Sequence, residues 1–190
     1  MSMSTTDASA AEATAQRVGQ AMFAADRASR ELMQMVLVSC SPGRATMRMT
    51  VRQEQLNGHQ ICHGGFIFTL ADSTFAFACN SHNKSAVAAS ASIEFLKAAH
   101  WGDVLTCEGT EQTLQGRHGI YDMRVANQHG EVIAMFRGKS AQIAGSVVAS
   151  AQIAGSVVVS AQIAGSVVAP AQIAGSVVAS AQIAGTVIPE

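Results

Sequence analysis

The chain has 190 residues, enough for one domain with a substantial core. Its 12 lysines and arginines against 13 aspartates and glutamates leave a net charge of −1, which gives no electrostatic reason to expect nucleic acid or an anionic membrane as partner. The 48% apolar content is unevenly spread: from Ala141 onward the sole charged residue is Glu190, so nearly all the charge lies in the first 140 residues.

Four cysteines, Cys40, Cys62, Cys79 and Cys107, stand far apart in no metal or redox spacing. With no basic-then-apolar leader at the N-terminus, the expected setting is a reduced cytoplasm. The longest apolar stretch, Gly64 to Cys79, contains Asp72 and falls short of the ~18 residues a membrane span needs.

In chain order, residues 1–10 are small and polar and read as disordered. Residues 11–32 read as an amphipathic helix with Val18, Ala21, Met22 and Ala25 on one face. "MQMVLVSC" reads as a strand, "SPGR" as a turn and "ATMRMTV" as a second, alternating strand. Arg52 to His63 is a loop marked by Asn57-Gly58, and Gly64 to Asn80 is a helix apolar nearly all round, hence buried on most sides. Strands follow at about 86–96, 104–114, 120–127 and 132–143, with "QGRHG" and "NQHGE" as hairpin turns between the last three. The economical architecture is α+β, an antiparallel sheet wrapped around one buried helix. The expected domain spans 11–145.

The remainder is a decapeptide repeat. Five copies beginning "AQIAGSVVAS" run from Ala141 to Glu190. Period ten matches none of the common solenoid units of ~20–50 residues. The even period permits added β structure. The favoured reading is a weakly ordered tail over 146–190, made by tandem duplication of the domain's natural end, since no copy has aromatic or large side chains to pack.

Asp72 is the one charged side chain between Gly64 and Asn80. Burying a carboxylate without partners is costly and raises its pKa, so the residue is either a functional acid or a cap for a helix starting at Ser73. The apolar run from Phe66 to Ala71, without strand alternation, favours the functional acid. Gly64 and Gly65 stand where a helix begins, and there the first N–H groups lack intrahelical partners. Glycine lets a substrate approach that backbone, and a thioester carbonyl becoming an oxyanion suits such donors; the competing reading is a plain tight turn. Eight residues of helix rise about 12 Å, so Gly64 and Asp72 of one chain cannot both touch one reacting carbon. Two antiparallel helices across a twofold axis would bring Gly64 of one chain beside Asp72 of the other, giving two identical sites in a dimer.

These residues carry a resemblance. "LNGHQICHGGFIFTLADSTFAFACNS", with "SIEFLKAA" and "YDMRVANQHGEVIAMFRGKS", resembles the hotdog-fold acyl-CoA thioesterases, and most closely the phenylacetic acid degradation thioesterase family, over about Val18 to Gly145. The resemblance implies hydrolysis of phenylacetyl-CoA or a similar aromatic acyl-CoA, with sites between subunits and dimers pairing into tetramers. It implies that Asp72 is the catalytic carboxylate, a general base on water or a nucleophile through a mixed anhydride. The Gly64 N–H then polarises the carbonyl, while His63 and Asn57 line the site, His63 orienting the loop or thioester. Some relatives place a hydroxyl on the following strand, which Ser90 or Ser92 would supply. A relative's asparagine in the first helix is replaced by Ala25, so its role is absent or moved to Asp26. No cofactor is implied, coenzyme A being part of the substrate.

Other readings carry less. His59, Cys62 and His63 lack the further clustered ligands of a metal site, and no Gly-x-Ser-x-Gly elbow or phosphate-binding loop appears. Lys97, Arg137 and Lys139 would meet the phosphates of coenzyme A, or else form a solvated strand end. Phe66, Phe68, Phe75 and Phe77 read as core rather than acyl pocket. A hotdog dehydratase acting on hydroxyacyl thioesters, and a non-catalytic acyl-CoA-binding or assembly protein using the tail, remain the alternatives.

Overall fold

A computed structural model describes residues 5–149. The elements run α1 (Thr5–Ala25), β1 (Val36–Ser41), β2 (Arg44–Thr50), α2 (Gly64–Asn80), β3 (Ala86–Phe95), β4 (Val104–Gln115), β5 (His118–Ala126) and β6 (Val132–Gln142). The six strands form one antiparallel sheet in the order β1-β2-β4-β5-β6-β3. β3 crosses to the far edge because α2 separates it from β2, while the short turns after β4 and β5 make adjacent hairpins.

The core lies between the sheet and α2. Alternation along the strands turns Met47, Leu105, Tyr121, Met123 and Phe136 inward, and α2 answers with Leu70, Ala71, Phe75, Phe77 and Ala78. Burying a side chain such as Leu70 or Phe75 contributes roughly 1.5–3 kcal/mol. Phe75 packs on Tyr121 and Phe136 at ring separations of 5.5 and 6.0 Å, and Phe68 adds an edge contact to Phe136 at 5.4 Å. The helix approaches the sheet closely at Gly138, where a Cβ would stand 2.9 Å from the Phe75 ring.

Two local expectations change. α1 starts at Thr5, inside the stretch read as disordered, because Asp7 favours the first turn and the alanines that follow are strong helix formers. It also stops at Ala25 rather than Leu32, and a separate π-type turn follows at Ala28–Leu32, where the Asp26 carboxylate accepts hydrogen bonds from the Ser29 N–H (3.0 Å) and Oγ–H (2.6 Å). Residues 1–4 and 150–190, and with them the reading of most of the tail, lie outside the described residues. No helix among the described residues is long and apolar enough to cross a membrane.

α2 is also less enclosed than its composition predicts. Ile67, Leu70, Ala71, Thr74, Phe75 and Ala78 are buried, but Gly65 is exposed and Thr69, Asp72 and Ala76 are only partly covered, a stripe at helical spacing. β3 is open as well, with Val87 and Phe95 each about half exposed. In the single chain, one face of α2 is therefore only partly covered, and the edge strand β3 is exposed along most of its length.

Candidate active site

The site begins in the loop before α2. Arg52 to His63 is pinned by Cys62 N–H donating to Ala99 O (2.8 Å) and His63 N–H donating to Gln55 O (2.9 Å), with the Gln55 side chain buried beneath. Asn57 shapes the turn: its Oδ1 accepts from His59 N–H (2.9 Å) and Ile61 N–H (3.4 Å), the short-range pattern that asparagine favours in turns. Its Nδ2 donor has no partner among the described residues.

His63 is the N-cap of α2. Its backbone is extended (φ −63°, ψ 132°) and its Nδ1 accepts from the Gly65 N–H at 3.1 Å. This bond requires the neutral tautomer with the proton on Nε2. The Phe66 N–H donates to His63 O at 2.9 Å, so two of the first three helical N–H groups are satisfied. The Gly64 N–H has no partner among the described residues. It stands at the positive end of the helix dipole, where partial negative charge is favoured.

Gly64 borders a cavity of about 350 Å³. Asn57 and Lys97 share its wall with Ile61, Ile67 and Phe95. Lys97 is tied to Glu131 by an ion pair at the surface. Phe95 is the residue sequence reasoning missed. Its ring lies over Gly64, with Cζ 3.0 Å from where a Cβ on residue 64 would stand. The signal was present in β3, because Ile93 and Phe95 alternate onto the face turned to α2.

Cys62 borders the same cavity and is a poor nucleophile, since burial, with Asp103 adding to it, pushes its thiol up to about 11. Asp72 lies eight residues along α2 and outside this cavity, on the partly covered stripe. It makes no hydrogen bond or ion pair among the described residues, and burial raises its pKa above the ordinary carboxylate range. Next to it, Ser73 Oγ meets Ser29 Oγ at 3.0 Å, and Ser29 is held by Asp26. Asp26 is thus joined to the α2 residue beside the carboxylate without touching the carboxylate itself.

The other expected residues sit elsewhere. Ser92 lies opposite Arg137, and Ser90 opposite Lys139, in the β3–β6 ladder. The neighbouring Phe136 and Gly138 face α2, so these four project from the other side of the sheet. Arg137 is held there by Asp122 through two bonds of 2.6 and 2.7 Å; Lys139 has no ion pair among the described residues. The structure brings Gly64, Asn57 and Lys97 together in the cavity wall, keeps His63 and Gly65 beside Gly64 but outside that wall, and leaves Asp72, Ser90, Ser92, Arg137 and Lys139 apart from them in a single chain.

Residues 59–134 match the model of the thioesterase superfamily. The acyl-coenzyme A thioesterase PaaI of Escherichia coli is 43% identical over 111 residues, covering 58% of this chain and 79% of that protein. The solved structure of the E. coli PaaI protein from the phenylacetic acid degradation operon superposes with a TM-score of 0.68 at 40% identity, over 70% of this chain and 96% of that one. A Streptococcus mutans protein solved bound to acetyl CoA gives a TM-score of 0.57 at 27% identity, over 59% of this chain and 90% of its own. The antiparallel sheet around α2 is accordingly the hotdog thioesterase fold.

Proposed function

Because the chain belongs to the thioesterase superfamily and is a thioester hydrolase, we propose that it hydrolyses acyl-CoA thioesters with aromatic acyl groups, phenylacetyl-CoA among them. The observation that carries the reading is the division along α2: an unpartnered N–H at Gly64 over a cavity, and an unpartnered half-buried carboxylate at Asp72. The PaaI likeness supports the choice of acyl group.

Water attacks the thioester carbonyl carbon while Asp72 takes one of its protons. The negative charge moves to the carbonyl oxygen, which accepts a hydrogen bond from the Gly64 N–H. Collapse of the tetrahedral intermediate restores the C=O and breaks the C–S bond. The coenzyme A thiolate leaves and takes the proton back from Asp72.

The rise of about 12 Å between Gly64 and Asp72 supports a site to which two chains each contribute one of the two groups. The partly covered stripe of α2 and the exposed β3 edge support a twofold dimer in which both are buried, with one α2 antiparallel to the other. Further pairing of dimers into a tetramer would place the Ser90, Ser92, Arg137 and Lys139 face within reach of a neighbour or of the coenzyme A phosphates. A reducing cytoplasm suits the four free, buried cysteines.

The test is thiol release from a panel of acyl-CoA substrates by the wild type and by Asp72→Asn. Loss of phenylacetyl-CoA turnover by orders of magnitude, with the oligomer intact, supports the reading. Unchanged turnover would remove Asp72 from the mechanism.

A further inference from the structure

The first decapeptide of the tail is not loose. Ala141 and Gln142 complete β6, and the chain then crosses the segment between α2 and β3. Ile143 N–H donates to Ser85 O at 2.8 Å, and Ser85 N–H donates to Gly145 O at 3.1 Å. Farther on, the Asn83 side chain grips the Val148 backbone from both sides: Nδ2 donates to Val148 O at 3.0 Å, and Oδ1 accepts from Val148 N–H at 2.9 Å. Val148 itself is 7% exposed.

What this dock reads in the decapeptide is limited and specific. Its hydrogen bonds go to the backbone, which every copy of the unit offers. Two side-chain positions matter: the fifth, where Gly145 adopts φ +106°, a conformation that side chains oppose, and the eighth, where Val148 is buried. Both requirements recur every ten residues. Gly155, Gly165 and Gly175 repeat the fifth position, Val158, Val168 and Val178 repeat the eighth, and the last copy carries Gly185 with Ile188.

We propose that the Asn83–Ser85 edge is a docking site for the decapeptide unit, and that a later unit of the same tail takes the site when the first is displaced. Seating the second unit requires residues 141–150 to leave as a loop of ten, while Ala151 and Gln152 replace Ala141 and Gln142 in kind. The entropy of loop closure grows only with the logarithm of loop length, so the second unit is favoured over the third and the third over the fourth. The same logic favours the chain's own tail over that of another molecule at low concentration. The duplicated units thus act as spares for the clamp that ends β6.

Amide hydrogen exchange at Ser85 in the full-length protein tests this. One variant disables the first unit (Gly145→Val with Val148→Asp); another disables the fifth and eighth positions of all five units. Core amides such as that of Met123 report that the domain stays folded. The first-unit variant should keep Ser85 protected, with exchange slower than in the all-units variant by about tenfold or more. Equal exchange in the two variants overturns the proposal. So does protection that survives in the all-units variant. Protection in the first-unit variant that grows with protein concentration assigns the site to another molecule's tail and overturns the same-chain claim.

Discussion

The ring of Phe95 lies against Gly64, its Cζ 3.0 Å from where a Cβ on that glycine would stand. A residue at the end of β3 thereby reaches the first turn of α2, at the glycine whose N–H has no partner among the described residues. The absence of a side chain at residue 64 is a requirement of this contact, and of substrate approach in the proposed reaction.

Gly64→Ala should leave the fold nearly as stable, because alanine favours the helix and the half-exposed Phe95 ring has room to swing. Catalysis should suffer, since the methyl group and the displaced ring crowd the N–H. The expected result is a fall in kcat/KM with a shift in unfolding midpoint of no more than about 1 kcal/mol in equivalent stability. Steady-state thiol release beside thermal unfolding measures both.

Gly64→Pro removes the donor outright. Proline suits the first helical position, and His63 is already in the extended conformation that a residue before proline prefers. Losing one oxyanion donor should cost about 10²–10³ in kcat, with substrate binding less affected. A wild-type kcat in this variant would mean that the Gly64 N–H plays no part.

Asp72 carries a stability penalty with a defined pH dependence. Its folded pKa is raised by burial, so the native state binds its proton more tightly than the unfolded chain does. Below the ordinary carboxylate pKa both states are protonated and the penalty is absent. As pH rises through the folded pKa, the native state must carry a buried charge and loses stability relative to the unfolded chain. Asp72→Asn should therefore raise the melting temperature at neutral pH, and the gain should disappear in acid. If Asp72 is the base proposed above, the rising limb of kcat/KM should lie higher in pH than for an exposed carboxylate.

The cysteines should be inert in the native protein. Burial lifts Cys40 and Cys62 to about 11 and Cys79 and Cys107 to about 12, so almost no thiolate exists at pH 8. A colorimetric thiol reagent should react slowly with the folded enzyme and with all four thiols after unfolding. Cys62→Ser should keep turnover within a few fold, although Cys62 borders the cavity.

Much of this was legible in the residues. The alternation of "ATMRMTV" and of Ile120 to Asn127 marks strands because one face of each packs on α2. The lone acid of α2 stood out because a buried carboxylate needs a reason. Other features were hidden for physical reasons. Phe95 touches Gly64 only through the fold, thirty-one positions apart. The end of α1 carries no helix breaker; it is followed by a local turn in which Asp26 bonds Ser29, a competition between side chain and helix that composition does not show. Ser90 and Ser92 are ambiguous in sequence because a bulge between Ala88 and Ser90 resets which residues of β3 face the helix.

In the proposed reaction, Gly64 of one chain works with Asp72 of another. Two inactive proteins, Gly64→Pro and Asp72→Asn, test it when mixed under conditions that exchange subunits. Each mixed dimer would hold one site with both native groups, so a random equal mixture should recover about a quarter of the wild-type thiol release from phenylacetyl-CoA. Mixed dimers that form, as shown by native mass spectrometry, yet stay inactive would contradict a shared site and return both groups to a single chain.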